Sequence, residues 1–220
     1  MDLPFGDADA TIKLTRMTAY REGFGDKLAL GSYRMAESFG HSELSMSVKK
    51  QEMSGYDGRA MQGMGLEYAT SNRGDYMTSP AILGMDPQVA EGKAEAIKRF
   101  QDLTALVDSV GMCLLTTFAI GLSEIAEMFR TCTGIDCTDE EVLRIGERIW
   151  NLEKIFNLEN GFTKKDDTLP LRLLNETVSE GPAKGNVNEL CKMIPEYYSV
   201  RGWDAEGLPT EAKKKELSIE

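Results

Sequence analysis

The sequence predicts an all-α protein, an irregular assembly of helices rather than a sheet or a mixed fold. Three observations lead there. Apolar residues recur at mixed three- and four-residue steps over several long stretches, as one buried face of a helix requires. Capping residues open those stretches, at Asp7, Asp86 and Thr138. No run of β-branched alternation is long enough to propose a sheet.

Taken in order, Asp7 caps a helix through about Glu22, and Gly23 to Asp26 breaks it. A second helix runs from about Lys27 to Phe39 and stops at Gly40. His41, the single histidine, follows in a polar loop and has no neighbour that suggests a base or ligand role. Ser45 to Gly74 is glycine-rich and lacks a clean period, so it reads as irregular backbone. Asp86-Pro87 starts a helix to Val110 that carries Ala94, Ile97, Leu103 and Leu106. The next helix is expected from Cys113 to about Thr131, ending near Gly134. Thr138-Asp-Glu-Glu141 has capping-box spacing, and Val142, Ile145, Ile149, Leu152 and Phe156 form an apolar stripe to about Leu158. Gly161 to Gly185 is long and polar, a packed functional loop or a disordered one. A helix from about Asn186 to Val200 is bent near Pro195, and Glu211 to Leu217 forms a short last helix with the exposed run Lys213 to Lys215.

Composition narrows the function. A chain of 220 residues buries a substantial core, as one domain or two small ones. A net charge of −11 argues against nucleic acid and against a polybasic membrane surface. The start lacks a basic region followed by a long apolar one, and Val110 to Leu122 is too short to span a bilayer, so the expected location is cytoplasmic. Without an export signal, disulfides among Cys113, Cys132, Cys137 and Cys191 are not expected. Cys132 and Cys137 read as small residues around a helix–helix turn rather than a zinc pair, and Cys191 reads as a core position.

The stretch Val107-Asp108-Ser109-Val110-Gly111-Met112-Cys113-Leu114 organises the rest. Helical pattern breaks at Gly111, where a glycine takes φ > 0 and lets another group come close. Cys113 is then expected in the first turn of the next helix, where amides favour a thiolate, the metal-binding form. A carboxylate at Asp108 facing the break accepts paired N–H donors from a planar heterocycle.

The motif Asp-x-x-Gly-x-Cys is joined by Gly55-Tyr-Asp-Gly-Arg-Ala-Met-Gln-Gly-Met-Gly-Leu-Glu-Tyr-Ala-Thr-Ser-Asn-Arg-Gly74. Together they resemble the C-terminal part of the tungsten-containing aldehyde ferredoxin oxidoreductases. The likeness runs from Ala19-Tyr-Arg-Glu-Gly-Phe-Gly-Asp26 to Arg201-Gly-Trp-Asp-Ala-Glu-Gly-Leu-Pro209. It includes Gly146-Glu-Arg-Ile-Trp-Asn-Leu-Glu153, Gly161-Phe-Thr-Lys-Lys-Asp-Asp-Thr-Leu-Pro170 and Glu180-Gly-Pro-Ala-Lys-Gly185.

The resemblance implies a helical segment, residues 1–44, like the end of the family's second domain. Residues 45–220 then correspond to the third, which contacts tungstopterin and the cluster. It also implies a tungsten bis-pyranopterin beside a [4Fe-4S] cluster, aldehyde oxidation to a carboxylic acid, and electrons leaving to ferredoxin. Carried across by position, Cys113 resembles the isolated cluster ligand. Asp108, Met112 and Leu114 fall on pterin-contacting positions, and Arg73 on another cofactor contact. Met77 stands where the family commonly has histidine near the metal, and a thioether relays no proton. The family's three other cluster thiolates lie upstream of anything matched here, so both cofactors are expected only with an N-terminal domain or separate chain of the same enzyme. Activity of the chain alone is not expected. Two alternatives stay open, a non-catalytic helical interaction module and part of an aryl-CoA reductase-like relative. A hydrolase is remote, because no Ser/His/Asp set assembles around one loop histidine.

Overall fold

The computed structural model describes residues 3–73 and 85–219. Helices dominate them: α1 Ala8–Ala19, α2 Gly25–Leu28, α3 Gly31–Ser38, α4 Gln62–Thr70, α5 Lys93–Ser109, α6 Leu122–Thr133, α7 Asp139–Glu159, α8 Leu171–Asn175, α9 Leu190–Arg201 and α10 Glu211–Leu217. Among the described residues the only sheet is a two-stranded hairpin, β1 Ser47–Val48 antiparallel to β2 Gln51–Glu52. The all-α expectation holds, and no helix is long and apolar enough to cross a membrane among those residues.

Local chemistry sets the helix ends. Asp7 accepts the Ala10 amide at 2.9 Å, and α1 stops at Ala19, before the expected Glu22. Thr138 and Glu141 complete the expected capping box, the Glu141 amide meeting Thr138 Oγ1 at 3.2 Å and the Thr138 amide meeting Glu141 Oε2 at 2.7 Å. Thr210 caps α10 as its sequence span predicts. Elsewhere glycines cut what the periodicity joined. Gly31 (φ 76°) divides the expected second helix into α2 and α3. Gly92 (φ 72°) delays the helix expected at Pro87 until Lys93, while Asp86 turns back to the Gln88 amide at 2.9 Å.

The strongest packing joins α5 to α7. Gly146 makes it close: a Cβ there would sit 1.9 Å from the Asp102 carbonyl oxygen. Around this seam the main core collects Ile97, Phe100, Trp150, Met193, Tyr197 and Trp203, and a smaller cluster holds Leu106, Val107, Ile125 and Val142. Each fully buried aliphatic side chain stabilises the fold by about 1.5–3 kcal/mol.

Four expectations are corrected by this packing. The irregular stretch from Ser45 to Gly74 contains α4, every residue of which is buried. A helix covered on all sides has no polar face, so it shows no period. The stripe on α7 turns inward through Val142, Leu143, Gly146 and Trp150, leaving Leu152 and Phe156 exposed. Cys191 lies on α9 but is exposed rather than in the core. That helix begins at Leu190 and not at Asn186, with Pro195 inside it.

Two buried polar networks tie distant segments together. Arg201, fully buried, pairs with Asp102 and donates to Tyr197 Oη at 2.9 Å and Gln101 Oε1 at 2.7 Å. Its guanidinium lies 5.2 Å from the Trp150 ring centroid. In the second, Asp167 from the Gly161–Gly185 stretch lies 3.1 Å from Lys49 Nζ and 2.6 Å from Lys154 Nζ, and accepts Tyr198 Oη at 2.8 Å. That stretch is packed, not disordered. Burial pushes the Asp167 carboxyl up, but Lys49 and Lys154 together hold it below the ordinary aspartate value.

Candidate functional site

The break after α5 is a Schellman ending. The Met112 amide donates to Val107 at 3.1 Å, the Gly111 amide to Asp108 at 3.1 Å, and Gly111 takes φ 76°. Met112 packs into the small cluster that contains Val107, the apolar contact this motif favours. Gly111 is required here for its φ. Among the described residues nothing lies within 4 Å of where its Cβ would be.

Cys113 stands where the sequence did not place it. A single helix from Cys113 to Thr131 is absent; a 3₁₀ turn spans Leu114–Phe118, and α6 begins only at Leu122, after Gly121. The reason is local: the Gly121 amide is capped by Glu124 Oε2 at 2.9 Å, starting a new helix there. Cys113 is the extended residue before the 3₁₀ turn (φ −75°, ψ 132°), so the expected α-helical first turn around its sulfur is not present. Its side chain is exposed. Met112 and Leu114 on either side are half-buried, Met112 against the small cluster and Leu114 against the main one. These two anchor the turn and leave the intervening thiol facing out. Val110, Leu115 and Phe118 expose apolar surface around it.

Arg73 reaches the same place from α4. Arg73 Nη2 lies 3.1 Å from Asp108 Oδ2, with side chains 59% and 40% exposed. A pair this exposed contributes about 0–1 kcal/mol, so stability does not explain its placement. The strap that delivers Arg73 is well held. The Asn72 side chain donates to the Trp150 carbonyl at 3.0 Å, and the Asn72 carbonyl accepts Asn157 Nδ2 at 2.8 Å. Lys49 Nζ donates to the Ala69 carbonyl at 2.8 Å. Asn72, Asn157 and Lys49 were not singled out in the sequence, because their contacts join segments far apart in the chain. A groove of about 410 Å³, which none of these site residues lines, opens between α5, α6 and α7 beside Phe100, Leu103, Thr117, Leu122 and Leu143.

The structure thus joins Arg73 to Asp108 and puts Met112, Cys113 and Leu114 on the turn that follows. Met77 lies outside the described residues. His41 is exposed and meets Glu43 at 3.0 Å, a solvated pair. Chemically the turn offers one thiol, one carboxylate acceptor and one guanidinium fork. Among the described residues no group of three or more histidine, cysteine or acidic side chains converges to hold a metal ion. A thiol in this setting can offer a cluster one ligand.

Residues 1–219 match the family model described as aldehyde ferredoxin oxidoreductase, domains 2 & 3. Over 212 residues the chain is 52% identical to a tungsten-containing aldehyde ferredoxin oxidoreductase of Pyrococcus furiosus, covering 91% of this chain and 35% of that protein. A protein of the same description from Thermococcus kodakarensis is 50% identical with the same coverage. The WOR-like subunit of an aliphatic sulfonate oxidoreductase of P. furiosus is 29% identical over 235 residues, 99% of this chain and 36% of the subunit. The chain spans about a third of the length of these curated relatives. Among solved structures, the active site complex BamBC of benzoyl coenzyme A reductase with 1,5-dienoyl-CoA superposes with a TM-score of 0.73 over 99% of this chain and 40% of that one. At 18% identity this is a likeness of fold.

Proposed function

Since the chain belongs to the aldehyde ferredoxin oxidoreductase family, over that family's domains 2 and 3, we propose that it forms the cofactor-facing C-terminal part of a tungsten-dependent oxidoreductase. The substrate is an aldehyde, the product its carboxylate, and the electrons leave to ferredoxin. Residues 1–44 belong to the second domain and residues 45–220 to the third. One observation carries the reading: Arg73 pairs with Asp108 at the end of α5, and the turn that follows presents the exposed Cys113.

The roles follow from donor chemistry. Asp108 accepts paired N–H groups of a pterin, and Arg73 gives a planar donor fork to its oxygens. Cys113, as a thiolate, provides one ligand of a [4Fe-4S] cluster. The remaining ligands come from the part of the enzyme that the relatives carry beyond the matched third. Met112 and Leu114 fix the turn so that its backbone faces the pterin. When bound, the tungsten–pterin group supplies the two-electron oxidation and the cluster the single-electron relay. Val110, Leu115 and Phe118 exclude water from that interface once a second domain covers them.

A second reading has Met77 behind it. A thioether neither donates a hydrogen bond nor relays a proton, a departure that suits chemistry other than aldehyde oxidation, such as that of an aryl-CoA reductase-like relative. The test of both is co-production with the rest of the enzyme, followed by metal analysis and ferredoxin reduction with an aldehyde. Asp108→Asn replaces an acceptor by a donor. Losing one charged hydrogen bond costs about 1.5–3 kcal/mol, so tungsten retention should fall roughly ten- to a hundredfold. Wild-type tungsten in Asp108→Asn would reject the pterin role. Tungsten without aldehyde turnover in the unsubstituted enzyme would favour the second reading.

A further inference from the structure

We propose that Asn157 is a positioning residue that brings Arg73 to Asp108, an inference that rests on the cofactor-facing reading above. Asn157 is half-buried near the end of α7, 85 positions from its partner. Trp150, Glu153 and Asn157 share one face of that helix, at i, i+3 and i+7. All three engage Asn72: its Nδ2 donates to the Trp150 carbonyl at 3.0 Å and to Glu153 Oε2 at 3.2 Å, and its carbonyl accepts Asn157 Nδ2 at 2.8 Å. The peptide immediately before Arg73 is therefore gripped at side chain and carbonyl by one helix face. Farther back, Lys49 Nζ holds the Ala69 carbonyl at the end of α4.

Asp108 is referenced to the same helix. Its own helix, α5, touches α7 through Gly146 with no room for a methyl group. Both halves of the Arg73–Asp108 pair thus take their position from α7, and Asn157 holds the carbonyl that is joined directly to Arg73. The amide of Asn157 supplies a directed bond to the strap backbone immediately before Arg73.

The experiment uses the ¹⁵N-labelled 220-residue chain and the Arg73 Nε–Hε resonance, which needs no cofactor. Asp108→Asn should move that resonance and so identify the paired state. Asn157→Ala and the isosteric Asn157→Asp, which removes the donor, should both move it the same way with a thermal midpoint close to wild type. Asn160→Ala, at the residue just after α7, whose side chain donates to the Phe156 carbonyl at 2.8 Å and makes no hydrogen bond to the described part of the strap, should leave it unmoved. An unshifted Arg73 resonance in both Asn157 variants overturns the proposal. So does unfolding of both, which would make Asn157 a residue of general stability. The two readings fail separately: if Asn157 controls the resonance but Arg73→Ala in the assembled enzyme retains full tungsten, the cofactor role falls and the positioning stands.

Discussion

Gly146→Ala sets two opposing effects against each other at the seam between α5 and α7. In a helix interior, alanine is favoured over glycine by about 1 kcal/mol. Here the added Cβ would lie 1.9 Å from the Asp102 carbonyl oxygen, 2.8 Å from its carbon and 3.3 Å from Leu106 Cβ. Relief requires the two helices to part by about 1 Å, since the first obstacle is backbone rather than a movable side-chain end. Overpacking of a filled core costs typically 1–3 kcal/mol and at times more. Asp102 raises the cost, because shifting it disturbs its pair with buried Arg201. The clash should win, with a net loss of about 2 kcal/mol. For a domain of this size that lowers the midpoint by about 4–8 °C. Urea unfolding should show a lower midpoint at unchanged slope. A variant as stable as the parent would refute the reasoning, since helix propensity would then outweigh the packing.

Other outcomes follow from the same structure. Arg201→Met should cost about 3 kcal/mol, because Asp102 loses its fully buried partner and keeps Lys98 Nζ at 2.9 Å; chemical unfolding measures it. Asp167 gives an acid dependence with a definite sign. Its folded pKa lies below the ordinary 3.8, so its contribution is present above that value and is lost as pH falls through the folded one. Thermal midpoints below about pH 4 should therefore fall more steeply in the parent than in Asp167→Asn. Thr138→Ala removes the cap of α7 and should cost about 0.5–2 kcal/mol by urea titration.

Much of the architecture was legible because its signals are local. Asp7 and Thr138 cap their helices through bonds to amides three residues away. Gly111 announced the break after α5 for the same reason. Burial on all sides hid α4, since Gln62 to Thr70 show no polar face to set a period. Leu152 and Phe156 misled because spacing identifies an apolar stripe but not whether this chain covers it. The site divides likewise. Arg73, Asp108 and Cys113 stood out through their motifs, but that Arg73 meets Asp108 is a tertiary fact. Asn72 with Asn157, and Lys49 with Asp167, join residues too far apart in sequence for any pattern to relate.

If the exposed turn at Cys113 is one wall of a shared metal site, iron content depends on its thiol. Serine suits the extended residue before the Leu114–Phe118 turn and approximates cysteine in size, so Cys113→Ser should keep the fold. The protein would be assembled anaerobically with the rest of the enzyme and its iron and acid-labile sulfide counted, with Cys132→Ser as the control at an exposed thiol away from the turn. Cys113→Ser should lose cluster iron and ferredoxin reduction while Cys132→Ser keeps both. Full iron and full electron transfer in Cys113→Ser would contradict it and leave the turn as nothing more than the end of a helix.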